Sequence, residues 1–142
     1  MKINELFESR DKKKRLSHMR NLFAIACADG SLDESEKKLL SHIGANHGLT
    51  TQELTKIINR PDSIDFTIPE TKGERIEQLF DMVLIMMANG DLHEKEMSLC
   101  RVFAIKLGYD PTIIDKIVDD IWDAADAGLT PDLVLTRLMM YA

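Results

Sequence analysis

The chain has 142 residues, of which 44% are hydrophobic and 30% charged, a length at which one core is the usual solution and a multidomain enzyme is excluded. Its 24 acidic and 18 basic residues give a net charge of −6, a field that repels phosphate backbones and argues against nucleic-acid binding. Two cysteines cannot build a disulfide framework, the longest apolar runs (Leu22 to Ala28 and Met82 to Ala88) fall far short of a bilayer span, and no secretory leader pattern opens the chain, so a cytoplasmic protein is expected.

Apolar residues recur at intervals of three and four, the helical period. The basic run Lys12 to Arg15 is expected to be solvent-facing, before a first helix whose stripe is Leu16, Met19, Leu22, Phe23, Ala26 and Cys27 and whose stop is Gly30. A second helix starts at Asp33, turns Leu39, Leu40 and Ile43 inward, and ends at Gly48. Thr50 caps a third, short helix through Leu54, Ile57 and Ile58, which Pro61 closes. Residues 61 to 73 have poor helix chemistry and read as a linker. Beyond it are expected a helix ending near Asn89, one from His93 to Leu107, one opened by Asp110-Pro111 and one opened by Thr130-Pro131. The class is all-α.

A shift of 60 positions aligns the second half with the first without a gap, pairing Ile25 with Ile85, Gly30 with Gly90, Glu36 with Glu96 and Gly48 with Gly108. The repeat covers about residues 15–60 and 75–120. One domain over 1–142 is therefore expected, a compact bundle of two related three-helix halves that cover each other. A C-terminal helix with Leu135, Leu138 and Met139 would close its edge.

The repeat is densest at Ala28-Asp29-Gly30-Ser31-Leu32-Asp33-Glu34-Ser35-Glu36 and its copy from Ala88 to Glu96. The glycine-to-glutamate spacing is that of an EF-hand loop, but Ile25 and Cys27, with Ile85 and Met87, stand where carboxylate ligands are required, so an EF-hand is rejected. Asp33 with Glu36 has the spacing of a capping box, and His93 with Glu96 is a weaker copy. Leu32 and Leu92 are expected to plug back onto the core. Caps alone require neither Asp29 nor Glu34, nor Asp91 with Glu94, and this excess of oxygens suits a hard cation. Asp29, Asp33 and Glu36 are the candidate ligands, for calcium, magnesium or manganese, with the first loop favoured because the second has Asn89 and His93 in place of two aspartates.

With Ala28-Asp29-Gly30 followed by Glu36, and Ala88-Asn89-Gly90 followed by Glu96, each between a buried and an amphipathic helix, the sequence resembles the tellurite-resistance TerB family and its TerB-like relatives over about residues 12 to 140. The resemblance implies an all-helical fold of two related halves and a stress-response setting. It also implies metal binding through acidic residues, and no known enzymatic reaction.

Asp115, Asp119 and Asp123, with Asp126, line one face of the penultimate helix, where they would dock a basic protein partner if the surface is more than solvated. His18, His42, His47 and His93 show no zinc-motif spacing with a cysteine, and Cys27 and Cys100 read as small core residues. Two functions follow from the residues: a non-enzymatic module binding a divalent cation through the first loop, or an interaction domain whose loops are only caps and whose acidic helix is the working surface.

Overall fold

The computed structural model describes residues 3–30, 32–88, 90, 92–130, 132, 133 and 136. Among them are helices α1 (Ile3–Ala26), α2 (Glu34–Asn46), α3 (Thr51–Asn59), α4 (Lys72–Met87), α5 (Glu94–Lys106) and α6 (Ile114–Asp126), with a 3-10 turn at Pro61–Ser63 and no strand. The all-α expectation is correct. Asn89, Asp91 and Pro131, together with Leu135, Leu138 and Met139 of the expected closing helix, lie outside the described residues.

Helices α1 and α4 pack against each other at the centre. Met19, Leu22, Ile25 and Ala26 of α1 and Leu79, Met82, Val83, Ile85 and Met86 of α4 are fully buried. A helix apolar on most sides belongs inside, which is why the methionine-rich α4 lies there. The outer helices α2, α3, α5 and α6 contribute one face each, with Leu40, Ile57, Cys100 and Ile117 pointing inward, and the buried residues form one cluster from Met19 to Ala124.

Local chemistry sets the helix ends. Capping boxes open α2, through Asp33 and Glu36, and α3, through Thr50 and Glu53. Gly30 and Gly90 adopt φ of +93° and +84°, a left-handed turn that favours glycine, and each donates its N–H to the carbonyl three residues back, Cys27 and Met87. Matching backbone bonds recur at the ends of α2 and α5, where Leu49 N bonds Gly44 O and Tyr109 N bonds Ala104 O.

Several expectations need correction. The basic run lies inside α1, not before it, because the helix starts at Ile3. Nor is it merely solvated: Lys12 pairs with Glu53 at 2.7 Å and Lys14 with Glu74 at 3.2 Å, joining α1 to α3 and α4. Cys27 sits just past the end of α1 and is exposed, so only Cys100 is the small core residue expected. Leu32 packs on the core as expected, whereas Leu92 is 52% exposed. Asp110-Pro111 forms a turn, its Asp110 carboxylate accepting from Thr112, and α6 starts only at Ile114. The linker is also pinned down. Ile64 is buried, Phe66 stacks on Phe103, Arg20 donates to Ile64 O, and the buried Ser17 hydroxyl accepts from Thr67 N at 2.8 Å.

Candidate functional site

The α1–α2 loop holds the three candidate ligands. Asp33 is the N-cap of α2, its Oδ1 accepting from Glu36 N at 2.8 Å, and Glu36 Oε1 accepts from Asp33 N at 3.2 Å. The capping box is therefore complete and uses one oxygen of Glu36. The other, Oε2, is buried without a hydrogen-bond partner. Asp29 lies at the other end of the loop, largely covered, with the His93 imidazole of the second loop 3.5 Å from its Oδ2.

Across from this loop is its sequence copy. Glu96 stands three residues after the N-cap His93 of α5, the position Glu36 holds in α2, but His93 makes no side-chain cap bond. Glu96 is 0% exposed and Glu36 1%, and neither oxygen of Glu96 has a hydrogen-bond partner. The two carboxyl groups lie within hydrogen-bonding reach of each other. Burial, then the Glu36, Asp29 and Asp33 carboxylates, push the Glu96 carboxyl up to about 8. Burial likewise raises Glu36, although the Asp33 N–H acts against this by stabilising its charged form.

Two buried carboxylates at such a distance cannot both stay ionised without a compensating positive charge, because desolvation and mutual repulsion both oppose it. The compensating species is a proton shared by the pair or a cation. Three oxygens of Glu36 and Glu96 meet no N–H or O–H donor, but no three of Asp29, Asp33, Glu36 and Glu96 bring a carboxylate oxygen each within 4.8 Å of one another, so the carboxylates gather as a pair with Asp29 and Asp33 further out. The sequence reading treated the loops as separate and favoured the first; in the structure Glu96 faces Glu36 and His93 lies 3.5 Å from Asp29, so the two loops meet. The signal for Glu96 was its match to Glu36 in the repeat.

The acidic face of α6 is present, with Asp115, Asp119 and Asp123 all exposed. Asp115 is already engaged, accepting from Arg101 Nε at 2.9 Å and Nη2 at 3.2 Å, while Arg101 Nη1 reaches Glu94 at 3.3 Å. Asp119 and Asp123 border a groove between α5 and α6 whose apolar wall includes Leu92, Met97, Val118 and Trp122.

A third constellation was not read from the sequence. His18 of α1, His47 at the end of α2 and Asp81 of α4 converge, with His18 Nε2 2.7 Å and His47 Nε2 3.8 Å from Asp81 Oδ2. These residues are 29 and 34 positions apart, so no local motif could join them.

The family described as tellurite resistance protein TerB has a model that matches residues 1–59 of this chain, less than half of its 142 residues. The matched stretch spans α1 to α3 and includes Asp29, Asp33 and Glu36 but not Glu96. No curated protein and no solved structure matches the chain. Among the described residues no helix is long and apolar enough to cross a membrane.

Proposed function

We propose, from the match of its first 59 residues to the TerB family model, that this chain is a non-enzymatic module that binds one divalent cation, calcium, magnesium or manganese, between its two repeated loops. The observation that carries the reading is the buried pair Glu36 and Glu96, whose three oxygens outside the capping box face each other and meet no N–H or O–H donor. A bound cation would replace the shared proton and draw the loops together, with Asp29 and Asp33 adding negative charge at the rim. Complete burial of both glutamates supports binding rather than catalysis, since a substrate cannot reach either carboxylate, whereas a small ion can exchange with a proton. The backbone bonds that recur at a 60-residue spacing support two related halves, each giving one glutamate to a single shared site. The setting is the stress response that the family resemblance implies.

Calorimetric titration with each cation at pH 7.5, repeated on Asp29→Ala and Glu96→Gln, tests the proposal. One site should be seen, weakened in both variants, and binding unchanged in Glu96→Gln would refute the shared site.

The second reading, an interaction domain, is favoured by one observation. The groove between α5 and α6 joins apolar Leu92 and Trp122 to the acidic rim of Asp119 and Asp123, which suits a basic amphipathic segment of a partner. Loss of partner binding in Asp119→Lys/Asp123→Lys, with cation affinity unchanged, would separate the two functions.

A further inference from the structure

Among the described residues, His18, His47 and Asp81 are the one group of histidine, cysteine and acidic side chains whose ligand atoms all lie within 4.8 Å of one another. Each comes from a different element, and each is held. His18 is 1% exposed on the α1–α4 interface, so its ring cannot turn away. His47 follows the last turn of α2, with its carbonyl accepting from Arg15 Nη1 at 2.7 Å. Asp81 lies on the inner helix α4, with His18 Nε2 2.7 Å from its Oδ2.

The geometry points to a second metal site, in which His18 Nε2, His47 Nε2 and a carboxylate oxygen of Asp81 bind a transition-metal ion of the zinc class. In a tetrahedral site with bonds of about 2.0–2.1 Å, adjacent ligand atoms are about 3.4 Å apart. The separations of 2.7 and 3.8 Å from Asp81 Oδ2 lie on either side of that value, and the two histidine ligand atoms are within 4.8 Å of each other. The two rings meet at 74° with centroids 5.3 Å apart, which lets both Nε2 atoms face the same carboxylate without stacking.

The surroundings also suit a cation. The cleft itself, about 350 Å³, leaves room for a fourth ligand, and five carboxylates (Asp11, Glu74, Glu77, Asp81 and Asp132) outnumber the two cations Lys14 and Arg15 around it. Two imidazoles and one carboxylate select zinc, cobalt or nickel over calcium and magnesium, in contrast to the all-oxygen loops.

The test is titration of the metal-free full-length chain with zinc and with cobalt at pH 7.5. Zinc should bind at one equivalent, raise the melting temperature and shift the ring nitrogens of His18 and His47 while leaving those of His42 unmoved; cobalt should give the visible bands of a low-coordinate site. His47→Ala and Asp81→Asn should each weaken zinc at least about tenfold, the loss of one ligand exceeding that of an outer partner. Glu96→Gln and His93→Ala should bind zinc as the native chain does, which keeps this site distinct from the loops. Zinc shifts confined to His42 or His93, or native affinity in His47→Ala, would overturn the assignment. The ring shifts of the unsubstituted protein decide the matter even if a variant fails to fold.

Discussion

Replacing Glu96 by glutamine should stabilise this protein in alkaline solution and do almost nothing in acid. The substitution keeps the shape of the side chain, removes its titration and supplies an N–H₂ that can donate to the orphaned Oε2 of Glu36. Glu96 has a folded value of about 8 against an ordinary 4.5, so the native state takes up a proton that the unfolded chain releases. The stabilisation is therefore fully present below about 4.5 and is lost as pH rises through about 8. At about 1.4 kcal/mol for each tenfold change in proton affinity, that interval corresponds to about 5 kcal/mol as a ceiling. Relaxation and water entry reduce it, and a gain of about 2 kcal/mol or more for the variant at pH 8.5 is the working expectation. Urea melts at fixed temperature from pH 4.5 to 8.5, with chelator present, give the difference between the two proteins, in which the other titrating groups largely cancel. If the two stability curves run parallel across that range, the Glu36–Glu96 pair is not the buried, proton-sharing contact described here.

Asp33→Ala removes the cap of α2 and should cost about 0.5–2 kcal/mol in the same melts, while His93→Ala, which loses no cap bond, should cost less. Gly30→Ala should lose about 1–2 kcal/mol from the left-handed turn alone, since a Cβ there meets nothing within 4 Å; a neutral result would mean that the turn relaxes. Asp115→Ala breaks an exposed pair with Arg101 and should change stability by less than about 1 kcal/mol. Fragments 1–66 and 67–142, expressed separately, should each lack a cooperative thermal transition, because α1 and α4 cover each other and neither face can be left wet.

What was legible in the sequence was mostly local. The apolar spacing of three and four, the cap pair Asp33/Glu36, the cap Thr50 and the stop glycines Gly30 and Gly48 are short-range signals, and the helices begin and end near them. Errors arose where a long-range contact decides. Lys12 and Lys14 look like a solvated run until Glu53 and Glu74 are brought opposite them. Residues 61 to 73 look like a loose linker until Phe66 finds Phe103 and Lys106. The candidate ligands Asp29, Asp33 and Glu36 were readable as an acidic excess, but their relation to Glu96 depends on how two loops face each other. His18, His47 and Asp81 carried no spacing signal at all, being joined only by the packing of α1 and α4 and the end of α2.

The most direct test of the central claim is a titration of the ¹⁵N-labelled protein with calcium, magnesium and manganese at pH 7.5, followed through amide positions or, for manganese, line broadening. A single shared site predicts saturable changes in residues 28–36 and 92–96 together, with one affinity, and their common loss in Glu96→Gln. Changes confined to one loop, different affinities for the two, or unmoved spectra at millimolar cation would contradict it.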